Sequence, residues 1–490
     1  MRAAATPGDV DATPSSSYVL DAQDVRDYHP HGAGNAHCVF AYGSHGPRPE
    51  LRRSLLRTRR STRTDGRDDA WRCHPLDAAI WGVDRALADW VTLDARAREA
   101  FFARAGAEGA PGRWRDDVGI VELTPEGATA LAERDRLECS RTMEAGSEGM
   151  WEKKLFGARR SSAAETRAQL SELATATSDY LNTARVDDLE DQKRLPGRMN
   201  VGSIEIKPKS FVGAVREGVG RVWRFPAHQT LKARDGRATE VSEYAPIDLL
   251  GDEEAVRRAC DALIRCPQNN MKETLHTIKD ERHKLMLRDA LPKVIEDARD
   301  VFSFIFSHQV NGGDDDPMTF RVVEAVVSDL TLRMERGNVD LESLEWTRIL
   351  DLLRRFVLGQ MAKDCSVLFT LNPDVGGGDD DDGPKRDRNP AVRFVKYRTV
   401  DDGVSRTCAY RVQVIDASLK SFAKAASWRA RAEAIGPCVP FVDADVTTRA
   451  FVDDLFRDLD PSSFRSRLLT ALDASAVREP ALAPLSRHHT

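Results

Sequence analysis

The chain has 490 residues, more than one core comfortably supports at ~100–200 residues per domain, so two domains or two lobes are expected. Apolar residues at 41% exclude global disorder, and 72 basic against 78 acidic side chains, net −6, exclude the global basic footprint of a duplex-DNA binder. No stretch approaches ~20 consecutive apolar residues, so no membrane span is expected; the most apolar short run, Val301 to Phe306, is broken by Ser303 and followed by His308.

Residues 1–20 and 476–490 read as disordered tails, rich in Ala, Pro, Ser and Thr. The first of them lacks an apolar h-region and carries Asp9 and Asp11, so it is not read as a secretory signal. Residues 32–46 predict a Gly-rich turn, a strand over Cys38–Tyr42 and a second turn. Strands are also predicted over 54–59, 119–123 and 202–206. Arg48 to Arg72 is Arg-rich, with a surface excursion at 65–70. After Pro246 the period becomes helical. Asp252 is the expected N-cap of a helix with Ala255, Ala259, Ala262 and Leu263 on one face, stopped by Pro267. Further helices are predicted over 271–287, 291–308, 318–336 and 344–360. The period then changes back: 365–371, 392–397 and 410–415 predict strands, the first two joined by a solvated acidic loop, Val375 to Pro390. The order is a mostly β first part, a helical middle and a late β-hairpin ending in Asp416, hence an α+β fold in two lobes. Eight scattered Cys without C-x-x-C imply no disulfide framework and favour a reducing cytoplasmic or nuclear compartment.

Three strings bear chemistry. In SIEIKPKSF, strand alternation puts Glu205, Lys207 and Lys209 on one face, and Pro208 predicts an edge or a strand end. Taken alone, that triplet also suits a solvated sheet face. In CPQNNMK, Pro267 to Asn270 between two predicted helices puts Asn269 and Asn270 at a helix start, which favours an anion or is ordinary capping. MAKDCSVLF and YRVQVIDASLKSF each put an Asp, Asp364 and Asp416, at the end of a β run. Such aspartates hold Mg²⁺ or a hydroxyl proton in kinases, and elsewhere serve as turn residues.

These strings, in this order, resemble the inositol-pentakisphosphate 2-kinase family. The resemblance rests on G-x-G-N-A at Gly32 to Ala36, E-I-K-P-K at Glu205 to Lys209, H-Q-x-L-K at His228 to Lys232, Y-x-P-x-D-L at Tyr244 to Leu249, P-Q-N-N at Pro267 to Asn270, A-K-D-C-S at Ala362 to Ser366 and V-I-D-x-x-x-K at Val414 to Lys420. It implies a protein-kinase-like, two-lobed inositol polyphosphate kinase fold. The N-lobe would span 21–200 and a larger helical C-lobe, carrying the late hairpin, 201–475, with ATP between them. The implied reaction is Mg²⁺-dependent phosphorylation of the 2-hydroxyl of inositol 1,3,4,5,6-pentakisphosphate, by a monomer with no nucleic-acid partner. Gly32, Gly34 and Asn35 match the loop over the ATP phosphates, and Arg57 the basic residue of the next strand, with Arg59 and Arg60 close in register. Lys207 and Lys209 match the basic pair near the transferred phosphoryl. Lys232, Asn269 and Lys272 match substrate-phosphate positions, Asp364 the carboxylate near the attacking hydroxyl and Asp416 a Mg²⁺ ligand. Lys420 and Lys424 match residues that close on the substrate.

The physics suits a polyanion. Five phosphates at about −1.5 to −2 each bring the ligand to about −8 to −10. One ammonium at ~4 Å contributes on the order of 4 kcal/mol of gross attraction at an effective dielectric near 20, before desolvation, so several cations must converge. The chain also departs from the family. Ser418 stands where the D-x-D-x-K-P motif has its second acid, Lys272 and Lys424 stand where Arg is usual, and Ala33 replaces an acid between the loop glycines. The helical part has no Cys between Cys266 and Cys365, so no zinc site is expected. A kinase with another inositol phosphate acceptor is one alternative. A catalytically weakened or inactive inositol-phosphate-binding scaffold, which Ser418 would favour, is the other.

Overall fold

Short β-branched and aromatic runs build the first sheet. The computed structural model describes residues 18–20, 23, 28–33, 37–42, 54–61, 74–83, 90–103, 118–123, 130–131, 133, 169–178, 202–216, 220–274, 281–338, 340, 343–374, 392–438 and 463–474. The chain divides into two compact units, one of residues 1–72, 90–95 and 117–183, the other of 73–89, 96–116 and 184–490. In the first, strands β1 (Tyr18–Leu20), β2 (Tyr28–Ala33), β3 (His37–Tyr42), β4 (Ser54–Ser61), β5 (Val118–Leu123) and β6 (Gln169–Ser178) form one sheet in the order β1-β5-β6-β4-β3-β2. Only the β1–β5 pair is parallel. The expected strands appear as β3, β4 and β5. Strand β6 had no sequence signal: QLSELATATS offers small polar residues where alternation needs large apolar ones. Gly32 and Ala33 end β2 instead of opening a turn, while Gly34 and Asn35 lie outside the described residues. Arg57 sits inside β4, opposite Val39 on one side and Thr175 on the other.

The second unit holds helix α1 (Pro75–Ile80), the part of α2 (Trp90–Ala103) from Arg96 on, and the remaining elements. Strand β7 (Gly202–Ile206) is followed by a two-stranded ribbon, β8 (Gly213–Arg216) and β9 (Gly220–Trp223), which runs straight into α3 (Arg224–Arg234). After a 3-10 turn over Pro246–Leu250 comes α4 (Glu253–Arg265). Asp252 caps α4 as expected, accepting the Ala255 N–H at 2.9 Å. Strand β10 (Met271–Thr274) and helices α5 (Glu281–Asp297), α6 (Arg299–Asn311), α7 (Pro317–Glu335) and α8 (Leu344–Ala362) lead to strands β11 (Ser366–Asn372), β12 (Arg393–Arg398) and β13 (Ser405–Ile415). A 3-10 turn (Phe422–Lys424), α9 (Ala425–Ile435) and α10 (Ser463–Ala474) follow.

Several expectations are corrected here. Met271 does not start a helix: residues 271–274 form β10, because pairing with β7 outweighs local propensity in so short a segment, and the helix begins at Glu281. Asn269 and Asn270 therefore stand in a turn between α4 and β10, not at a helix start. The helix expected over 291–308 is cut at Ala298, since the apolar period of α5 continues in phase into α6 and hides the break. The late strands do include the expected hairpin, the antiparallel pair β12–β13. They belong to a wholly antiparallel sheet in the order β10-β7-β11-β13-β12. Pro208 does follow a strand end, but β7 is an inner strand, not an edge.

The core lies under this sheet, where α5 to α8 bury Leu291, Val301, Phe302, Ile305, Val326 and Phe356, each contributing about 1.5–3 kcal/mol relative to exposure. Helices α6 and α8 meet backbone to backbone. A Cβ on Gly312 would lie 2.8 Å from the Gly359 Cα, and one on Gly359 would lie 2.9 Å from the Gly312 Cα. That approach sets the C-terminal ends of both helices beside the sheet end described next. Among the described residues no helix is long and apolar enough to cross a membrane.

Candidate active site at one end of the five-stranded sheet

Antiparallel pairing brings four distant chain segments to one place. Ile206, the last residue of β7, pairs with Met271 at the start of β10 and with Val367 at the start of β11. Ser366 pairs with Ile415, the last residue of β13. Lys207, Asn270, Asp364 and Asp416 thus leave the sheet at the same end. The contacts follow. The Lys207 N–H donates to the Asn270 carbonyl (2.7 Å), and Lys207 Nζ lies 3.2 Å from Asp416 Oδ2 and 3.7 Å from Glu205 Oε1. Glu205 also faces Lys272 directly across the β7–β10 ladder at 3.3 Å, and accepts the Ser366 hydroxyl at 2.8 Å. Lys420 pairs with Asp364.

The remaining strings brace this end. The buried Tyr244 hydroxyl donates to the Pro208 carbonyl at 3.2 Å, and Gln229 meets Gln268 at 2.9 Å. Lys209, Gln268 and Asp416 are the three non-glycine residues, among those described, with left-handed backbone (φ 66°, 44° and 58°). Each such residue costs roughly 1–2 kcal/mol, and strain of this kind gathers where function requires an unusual direction of chain.

Charge at the site is dense and mixed. Burial pushes the Lys209 ammonium down, and Lys207, Lys232 and Lys420 add to this against the pull of Asp364, leaving its pKa at about 8. Burial alone would raise the Asp364 carboxyl, but Lys420, Lys209 and Lys207 outweigh it and hold the group below the usual carboxylate range. Burial likewise opposes the charge on Lys207, and Asp416 and Glu205 reverse that, raising its pKa. His228 is pushed down to about 3 by burial and by Lys232 and Arg224, so its imidazole is neutral. Lys207, Lys209, Lys272 and Lys420 are therefore gathered around Asp364, Asp416 and Glu205, and Lys232 adds to the positive field at Lys209. Asn269 is exposed in the adjoining turn, and Lys424 is exposed at the end of the Phe422–Lys424 turn. Neither is drawn in by the contacts just described.

The segment after Asp416 is held from below. Ser418 is buried and accepts the Arg98 guanidinium at 3.3 Å, so its oxygen faces a cation, an unfavourable setting for a metal ligand. Ser421 and the Phe422 N–H (3.1 Å) both donate to Asp77, whose buried carboxyl is pushed up to about 6. Neither Arg98 nor Asp77 carried any signal in the sequence. Among the described residues no three His, Cys, Asp or Glu side chains converge as a metal cage. Mg²⁺ is compatible with that, because it takes one or two carboxylates together with phosphate oxygens, and the half-exposed Asp416 offers one. A group of cations around two accessible carboxylates can bind a polyanion and accept a proton from it.

A family model described as inositol-pentakisphosphate 2-kinase matches residues 31–434. One curated relative, the inositol-pentakisphosphate 2-kinase of Arabidopsis thaliana, is 40% identical over 82 residues. That match spans 15% of this chain and 18% of the relative.

Proposed function

The chain belongs to the inositol-pentakisphosphate 2-kinase family, and on that footing we propose that it transfers the γ-phosphoryl of ATP to the 2-hydroxyl of inositol 1,3,4,5,6-pentakisphosphate, giving inositol hexakisphosphate. One observation carries this reading: Asp364 and Asp416 emerge at the same sheet end as Lys207, Lys209, Lys272 and Lys420. Lys209, Lys232, Lys272 and Lys420 would bind the inositol phosphates, joined by Asn269 and Lys424 from the flanking turns. Asp364, kept ionised by its lysines, would accept the proton of the attacking hydroxyl. Lys207 would reach the phosphoryl in flight. When bound at Asp416, Mg²⁺ would supply neutralisation of the charge that develops on the phosphate oxygens. Gly32, Gly34, Asn35 and Arg57 would serve the ATP phosphates in a two-lobed, protein-kinase-like arrangement. Five buried free cysteines among the described residues suit a reducing compartment, cytoplasmic or nuclear.

The deciding experiment is product analysis after incubation with Mg-ATP and the pentakisphosphate. Phosphate gained at the 2-hydroxyl supports the reading. Binding without turnover would favour the scaffold alternative, for which Ser418 speaks.

The titration of Lys209 adds a pH test. Its ammonium is the form that attracts phosphate, and with a pKa of about 8 it is half lost at that pH and almost wholly lost two units above it. The phosphates are already doubly ionised there. Affinity for the pentakisphosphate should therefore fall as pH rises above 8, by at most about tenfold per unit for one proton. Lys209→Arg, whose guanidinium stays charged, should flatten the profile. Calorimetry at constant ionic strength measures both. A wild-type profile that is level from pH 7 to 9.5 removes Lys209 from the pocket.

A further inference from the structure

Behind the lysines lies a buried polar node that the reaction does not use directly. Gln309, in the last turn of α6, is wholly buried. Its Oε1 accepts the Phe211 N–H at 2.8 Å, and its Nε2 donates to the Lys209 carbonyl at 2.9 Å and to the Ala362 carbonyl at 3.1 Å. The two carbonyls need a donor and the N–H needs an acceptor, so the network admits one orientation of the amide. Six residues on, Asp315 repeats the pattern. It accepts the Ser210 hydroxyl at 2.6 Å and pairs with Lys363 at 2.9 Å and Arg224 at 3.2 Å. Residues 209, 210 and 211 on one side, and 362 and 363 on the other, are thus bound to the same short stretch of chain. Lys209 has the left-handed backbone noted above, and its own carbonyl and the N–H two residues on are both held by the Gln309 amide.

We infer that Gln309 and Asp315 are positioning residues that clamp the Lys209 turn onto the segment carrying Asp364. This fixes the substrate-binding ammonium relative to the hydroxyl-facing carboxylate. The inference rests on the phosphoryl-transfer reading for its kinetic consequence, but not for its structural one. Neither residue touches the reacting groups. Their effect passes through two backbone segments that leave the paired ends of β7 and β11, where Ile206 meets Val367, and that the Gln309 and Asp315 contacts join again beyond the sheet. Displacement of about 1 Å at such a site costs on the order of 100-fold in rate.

The test is Gln309→Met in the full chain, which keeps the volume, takes the amide away from the Phe211 N–H and the Lys209 carbonyl, and leaves the Ala362 carbonyl with the Cys365 thiol at 3.3 Å. Two readouts are taken. Amine labelling of Lys209 as a function of pH, followed by peptide mass spectrometry, is expected to move its midpoint from about 8 towards the ordinary 10.5 as the turn loosens. Turnover with Mg-ATP and the pentakisphosphate is expected to fall by about 10- to 100-fold, with KM for ATP changed less than threefold. A lowered melting temperature with the Lys209 midpoint unmoved and kcat within twofold would overturn the inference, leaving Gln309 a packing residue. If the variant does not fold, Ser210→Ala removes a hydroxyl that lies 2.6 Å from Asp315 Oδ2 and 3.1 Å from the Val212 carbonyl. It should still move the Lys209 midpoint upward, and an unmoved midpoint there overturns the inference equally. Should the wild-type protein make no hexakisphosphate, the reaction reading falls, while the labelling still decides the clamp.

Discussion

Asp364→Asn should lower turnover of the pentakisphosphate by about 10²- to 10⁴-fold, the usual worth of a positioned general base. The side chain is 56% exposed and pairs with Lys420, so the amide should leave the fold intact. Binding should move the other way. Removing a carboxylate from among Lys207, Lys209 and Lys420 leaves the cations less neutralised, so affinity for the polyanion should stay level or tighten. Calorimetry and steady-state kinetics on the same preparation measure the two effects. Equal losses in affinity and turnover would assign Asp364 to binding. Turnover within threefold of wild type would remove it from the chemistry. Because its lysines hold the carboxyl ionised well below neutrality, no limb of the pH–rate profile between pH 6 and 8 should belong to it.

Asp416→Asn should lower turnover at fixed millimolar Mg²⁺ by roughly 10²- to 10³-fold, with partial recovery as Mg²⁺ is raised. Asparagine is the informative substitution. Position 416 has φ 58°, which Asn adopts at little cost and Ala does not, so the change removes charge without forcing the backbone. Lys207 would keep Glu205 at 3.7 Å as a partner. Pentakisphosphate binding in the absence of Mg²⁺ should be unchanged or tighter. Activity that stays at the wild-type level, with an unaltered Mg²⁺ requirement, would take Asp416 out of the metal role. The neighbouring Ser418 adds weight to this residue. With its hydroxyl turned to Arg98, it leaves Asp416 as the carboxylate available on that segment.

Much of the site was legible because its signals are local. The short β pattern over 202–206, the apolar run over 365–371, the Asp252 cap and the apolar period of α7 and α8 all depend on neighbours within a few residues. The positions of Asp364 and Asp416 at strand ends were visible for the same reason. Strand β10 and the turn before it were not, since four residues give too short an alternation and the pairing with β7 decides them. Gln309 was invisible because a glutamine in a helix reads as a surface residue until a buried carbonyl is brought to it. Asp315, among three acids after two glycines, reads as solvated, yet it lies buried between Arg224 and Lys363.

The amino-acid order sufficed for most of the strands and helices that carry the site, for which residues carry charge and, through its ordered motifs, for the family. It could not say that Lys207 and Asp416, 209 positions apart, would meet. That depends on β7 lying between β10 and β11 with β13 beyond, and on two glycines that let α6 and α8 touch. Periodicity reflects each segment's own geometry, whereas strand order is selected by which apolar faces can be buried together, a property of the whole chain.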